Sequence, residues 1–160
     1  MSLSVRRAEP ADAKRVAEFA MKLVEQHVAY DALRFARIAT LEGMTSFYGG
    51  QAKVANAAVI VAEIDGGVVG FAYVTYEEKN YAELATTSAR LHDIYVDAAA
   101  RHTGAGKALV AASVAFARQH GASKLMLNVA VKNGEANEFF GKRGFRPTMT
   151  EMTLKLPDSL

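Results

Sequence analysis

The chain has 160 residues, 51% of them hydrophobic, with 19 Lys and Arg against 17 Asp and Glu. That is ample material for one core, and charges so scattered and so nearly balanced argue against a nucleic-acid binder. Cysteine is absent, which excludes disulfides, thiolate metal sites and a cysteine nucleophile.

The opening "MSLSVRRAEPADAKR" lacks an apolar signal core, and no apolar run reaches the roughly 18 residues of a membrane span. The expectation is one domain over residues 1–160, soluble and cytoplasmic, with no metal, no nucleic acid and no membrane partner. After a short apolar start, Pro10 and Asp12 signal helix entry, and Val16, Phe19, Ala20, Leu23, Val24 and His27 recur at helical spacing. A second helix is predicted from about Asp31 to Tyr48, ended by the glycine pair that follows.

"AAVIVAEI" and "VVGFAYVTY" flank an Asp-Gly turn, the pattern of a β-hairpin. "ARLHDIYV" reads as a central strand, and the run after it as a helix with Leu109, Ala112 and Phe116 on one face, closed by Gly121. "KLMLNVAV" is a further strand, and Asn133 opens a short helix carrying Ala136, Phe139 and Phe140. The tail "MTEMTLKL" alternates Met152, Leu154 and Leu156 with polar residues, which predicts a strand with one buried face. The order is α/β throughout.

The stretch "RHTGAGKAL" joins the central strand to its helix. A P-loop needs a glycine where Arg101 stands and a Ser or Thr where Ala108 stands, and a dinucleotide fingerprint needs a glycine at Leu109. Both readings fail. What survives is an arginine-bearing loop whose backbone N–H groups converge at the positive end of a helix, an arrangement suited to a pyrophosphate. Gly104 and Gly106 allow close backbone approach; the alternative is that they only shape a turn.

"DIYVDAAARHTGAGKAL" resembles the acetyl-CoA signature of the GNAT superfamily of N-acetyltransferases, at Arg101, Gly104 and Gly106. "NGEANEFFGKRGF" resembles the same family's downstream series at Asn133, Ala136, Phe139-Phe140, Lys142 and Gly144-Phe145. The resemblance implies a mixed, twisted central sheet of six to seven strands with about four helices, splayed between the fourth and fifth strands. It implies acetyl-CoA as co-substrate, its pantetheine arm on the backbone of Ile94, Tyr95 and Val96. Its pyrophosphate would lie on the N–H groups of His102, Thr103, Gly104, Ala105, Gly106, Lys107 and Ala108. The Val96 N–H is the implied oxyanion donor, Asn133 or Asn137 and Phe140 lie near the cofactor arm, and Lys142 reaches its adenine-ribose phosphate end. Asn133 also reads as a helix cap, and Lys142 as a solvated lysine.

Acetyl transfer to an amine needs a neutral amine, a site for developing negative charge and a proton for the leaving thiolate. Strand alternation puts His92, Ile94 and Val96 on one face and Leu91, Asp93 and Tyr95 on the other. His92 is therefore the candidate base; Asp93 replaces it if a bulge reverses the facing, and Glu63 is a further candidate. Where the family commonly has a proton-donating Tyr, this chain has Phe140, which leaves Tyr73, Tyr76, Tyr81 or water for that role. The reading is an N-acetyltransferase of primary amines by direct ternary-complex attack; the alternative is a catalytically weak acyl-CoA-binding regulatory module. Tyr30, Tyr48 and Tyr81, with His27 and the stretch from Arg146 to Met152, are candidates to meet a small-molecule or peptide amine. A homodimer is compatible with this layout.

Overall fold

A computed structural model describes residues 1–159. Its sheet is built outward from the hairpin of β2 (Ala57–Ile64) and β3 (Gly67–Glu77), where Ile64 pairs with Gly67 across a two-residue loop. Asp65 and Gly66 both have positive φ, at 51° and 83°, the type I′ geometry that matches strand twist and that an Asp-Gly pair adopts at low cost. β1 (Leu3–Arg7) pairs antiparallel with β2, and β4 (Ser88–Val96) antiparallel with β3. β5 (Leu125–Leu127) pairs parallel with β4, and the strand order is β1-β2-β3-β4-β5.

Two compact units make up the chain: Met1–Leu23 with Ala39–Leu127, and Val24–Ile38 with Asn128–Leu160. In the first, Val16, Phe19 and Ala20 of α1 (Ala13–Tyr30) and Tyr48 of α2 (Leu41–Gln51) form a core with Ala57, Val59, Val61, Phe71 and Tyr73 of the sheet. α3 (Ala105–Gln119) packs on β1 to β4 and buries Leu109, Val110, Ser113, Phe116 and Ala117. In the second, α4 (Gly134–Gly141) buries Phe140 against Phe139 and Phe145, with ring centroids 5.1 and 5.5 Å away.

Three expectations need correction. The sheet of the described residues has five strands, not six to seven. Among the described residues the predicted tail strand has no partner to take its backbone groups, and Met152, Leu154 and Leu156 are exposed; alternation supplies one apolar face, but a strand forms only where a ladder exists. The second helix starts ten residues later than Asp31. The Asp31 carboxylate accepts the N–H groups of Leu33 and Arg34, at 3.0 and 3.2 Å, a local competitor of helix. Thr40 then caps α2 through the Gly43 N–H at 3.0 Å, and the helix runs through the glycine pair to Gln51.

The entry to α1 is held by a nearly buried ion pair. Asp12 is 8% exposed; it accepts Arg6 Nη1 at 2.7 Å and the Glu9 N–H at 2.7 Å. Arg6 Nη2 also reaches Glu63 at 2.6 Å, so Glu63 is engaged as a structural partner and is removed from the candidate bases. The Arg6 hydrogen bond holds the Asp12 carboxyl below its ordinary range, against the opposing effect of burial. Its folded pKa being depressed, the stabilisation is complete above the unfolded carboxylate value of about 3.9 and is lost as pH falls through the lower folded value. Asp12→Ala is expected to cost about 2 kcal/mol at pH 7, discounted because Arg6 keeps water and Glu63. Thermal melts at pH 7 and pH 3 should show the variant's deficit shrinking in acid.

Candidate active site

Along β4 the pairing with β3 runs from Ser88 opposite Glu77 to Leu91 opposite Val74, then resumes at Asp93 opposite Tyr73. His92 is the extra residue of a β-bulge, and one extra residue reverses every facing beyond it. Leu91 is buried with Val74, whereas the Asp93 carboxylate accepts the Tyr48 hydroxyl at 2.7 Å and the Tyr95 ring lies 5.5 Å from Phe19. The His92 ring stacks on Tyr73 at 5.0 Å, and its Nε2 is 2.7 Å from Thr75 Oγ1. The predicted grouping of His92 with Ile94 and Val96 is thus overturned: His92, Asp93 and Tyr95 share the face of α1 and α2.

The same bulge decides which amides are available. β5 pairs only with Ala89, Arg90 and Leu91, so among the described residues that edge of β4 carries no strand from His92 to Val96. The Asp97 N–H donates to Val69 of the β3 segment at 2.8 Å, and N–H directions alternate along a strand; those of Ile94 and Val96 therefore point to the open edge. The Ala89 N–H points toward β5, bonding the Lys124 carbonyl at 2.9 Å, and counting across the extra residue gives the same result.

Gly70 sits opposite Val96, and a Cβ there would lie 2.5 Å from the Tyr95 carbonyl oxygen and 3.2 Å from Val96 Cα. Both obstacles are backbone. Gly70→Ala is expected to push β4 outward at these amides and lower kcat/KM by about tenfold, measured by initial rates beside a thermal melt.

After Val96 a 3-10 turn, Ala98–Ala100, leads to Arg101, and His102 and Gly104 take positive φ at 62° and 89° before α3 begins. The Thr103 hydroxyl donates to Ala100 C=O at 2.6 Å. Ala108 N–H donates to Gly104 C=O at 2.9 Å and Ala105 N–H to Thr103 Oγ1 at 3.4 Å, so these two are spent inside the protein, contrary to the expected seven-amide cradle. Among the described residues, the amides of His102, Thr103, Gly104, Gly106 and Lys107 find no acceptor in the chain. Arg101 and Lys107 are exposed beside them, and Arg101 Nε lies 3.5 Å from Val96 C=O.

An open strand edge leading into a loop of unspent amides and two cations fits an elongated ligand with an anionic end. The model described as the Acetyltransferase (GNAT) family matches residues 17–145. The chain belongs to the GNAT acetyltransferase family. As a member of that family it is an acyltransferase. The uncharacterized N-acetyltransferase YhfO of Bacillus subtilis (strain 168) is 25% identical over 145 residues, 89% of each chain. In fold, the chain is similar to the tetramutant of the BH1408 protein from Bacillus halodurans, with TM-score 0.83, 19% identity and coverage of 96% of this chain and 99% of that one. It is also similar to the aminoglycoside N-acetyltransferase AAC(6')-Iy in complex with CoA, with TM-score 0.80, 15% identity and coverage of 97% and 95%.

In this GNAT chain the remaining predicted residues are dispersed. Asn133 caps α4 through the Ala136 N–H at 3.1 Å, and the Asn137 side-chain amide donates to Asn133 C=O at 2.9 Å. Lys142 pairs with Glu138 at 3.1 Å on the surface, and Phe140 is 7% exposed within its own aromatic cluster. Tyr48 is 4% exposed and tied to Asp93, so its ring belongs to the core and offers no stacking face. Its hydroxyl pKa is raised by burial, then by Asp93. Tyr30 is half-buried and accepts Gln26 Nε2 at 2.7 Å, while Tyr81 is exposed beside Lys79. Of the candidate proton donors, the Tyr73 hydroxyl donates to Gln51 at 2.8 Å and Tyr76 lies against His120.

Thr75 and Gly70 were not among the predicted site residues. Alternation along β3 places Thr75 on the face of Tyr73, the one signal that would have found it. No helix of the described residues is long and apolar enough to cross a membrane, and no group of three or more His, Asp or Glu among them is arranged to hold a metal ion.

Proposed function

We propose that the protein transfers the acetyl group of acetyl-CoA to a primary amine by direct attack in a ternary complex. The carrying observation is the open edge of β4 from His92 to Val96, continuous with the loop of unspent amides. A CoA-bound structure of similar fold and a relative called an N-acetyltransferase support it. Backbone groups of Ile94 and Val96 hold the pantetheine arm, the Tyr95 amide and carbonyl being turned to β3, and the Val96 N–H meets the carbonyl oxygen as negative charge develops on it. The amides of His102, Thr103, Gly104, Gly106 and Lys107, with the Arg101 and Lys107 side chains, hold the diphosphate. Ala105 and Ala108 contribute their small size.

His92 takes the amine proton. Although His92 is exposed, stacking on Tyr73 removes part of the water around its ring, and this desolvation lowers its pKa, partly offset by Asp93, so the neutral imidazole able to accept a proton is favoured. Four residues of strand at about 3.3 Å each separate His92 from Val96 by about 13 Å, a span that calls for proton transfer through water. Asp93 then steadies the imidazolium, its own carboxylate held by Tyr48. The leaving thiolate, a far better leaving group than an amide or alkoxide, departs without a dedicated acid. Asn133, Asn137 and Lys142 are engaged within their own unit, and no step is assigned to them.

The test is release of free CoA from acetyl-CoA across an amine panel, with the acetylated amine identified by mass. Amine-dependent release supports the reading. Tight CoA binding with no turnover on any amine replaces it with the acyl-CoA-binding module for which Phe140 argues.

A further inference from the structure

Asp97 follows β4 and opens the turn toward Arg101, and both its backbone and its carboxylate are engaged. Its N–H donates to Val69 C=O at 2.8 Å and its C=O accepts the Ala100 N–H at 2.9 Å. Its Oδ1 accepts the Ala98 N–H at 3.1 Å and Lys22 Nζ at 3.3 Å, and its Oδ2 lies 3.9 Å from Arg15 Nη2. Lys22 and Arg15 are about two turns apart on α1, and both cations lie against Phe19, at 5.9 and 4.2 Å from the ring centroid. One short carboxylate therefore joins the end of the proposed acyl-binding strand, the first turn of the loop and the helix α1 that packs on the sheet.

We propose that Asp97 is the positioning residue of the phosphate-binding loop. By tying the loop's entrance to α1 it sets the direction in which the amides from His102 to Lys107 point; this rests on the CoA reading above. A lone exposed ion pair contributes little. Here two cations converge on a carboxylate that also caps a turn, and a loop already held at one end loses less freedom when it closes on a ligand. Asparagine at this position keeps the cap, since its Oδ1 still accepts the Ala98 N–H, but loses the attraction to Lys22 and Arg15. The two contributions are thus separable.

The experiment combines titration calorimetry with CoA, steady-state kinetics and amide hydrogen exchange of the ligand-free protein, on wild type, Asp97→Asn, Asp97→Ala, Lys22→Met and the Lys22→Met/Asp97→Asn double variant. Asp97→Asn is expected to weaken CoA about fivefold and Asp97→Ala about tenfold, raising KM for acetyl-CoA while kcat at saturation stays at the wild-type value. Lys22→Met alone should weaken CoA about twofold and add nothing to Asp97→Asn. Exchange from Ala98 to Lys107 should quicken in both Asp97 variants while the β2–β3 hairpin keeps its protection.

Wild-type affinity and wild-type loop exchange in Asp97→Ala overturn the proposal, as do Lys22→Met and Asp97→Asn losses that multiply in full. A wild-type chain giving no heat with CoA overturns the CoA reading instead, and the exchange comparison then still decides the tether.

Discussion

Replacing His92 with alanine is expected to lower kcat by about 100-fold, the usual worth of a positioned general base, with little change in affinity for CoA. The pH profile is the sharper readout. A base must be unprotonated to act, so kcat/KM rises with pH through the apparent pKa of His92. Partial desolvation of its exposed ring where it stacks on Tyr73 depresses that value, so the acidic limb of the wild-type profile should lie below the ordinary histidine value of about 6.5. In His92→Ala that limb should disappear. Asp93→Asn should move the limb further toward acid, since the Asp93 charge opposes the depression. A His92→Ala enzyme with wild-type kcat and an unchanged limb would return the role to Asp93 or to the amine's own ionisation.

Arg101→Glu combined with Lys107→Glu is expected to weaken CoA binding by about 100-fold or more. Each charge-assisted hydrogen bond to a phosphate contributes about 1.5–3 kcal/mol, and reversal adds repulsion to the loss. Both side chains are exposed, so neither substitution leaves a buried group unpaired, and the melting temperature should move little. Raising ionic strength should weaken wild-type binding and bring the two proteins closer together. A double variant that binds CoA as the wild type does would show that these cations face solvent alone.

Much of this was legible because local chemistry leaves few alternatives. An Asp-Gly pair between β-branched runs favours a type I′ turn, and Asn133 followed by "GEANEFF" caps its helix with its own side chain. The arginine loop was legible too, since glycine at position 104 has a φ of 89° that other residues avoid. The bulge at His92 was not. Alternation assumes an unbroken ladder, and whether His92 is counted in or out of the pairing depends on how Tyr73 and Val74 of β3 meet Asp93 and Leu91. The tail shows the converse, an alternating pattern with no neighbouring strand to receive it.

By itself, then, the order of residues along this chain determined which groups bear chemistry and in what succession: an apolar strand with His92 and Asp93, a glycine-bearing loop with two cations, and a helix of small residues. Tertiary structure alone decided where those groups face. The single extra residue in β4, the early end of β5 and the space left by Gly70 together turn His92 toward α1 and α2 and send the Val96 amide to the open edge. The reason is physical: a residue's type is a local property, whereas the direction of a strand's side chains and amides belongs to the pair of strands that share the hydrogen bonds.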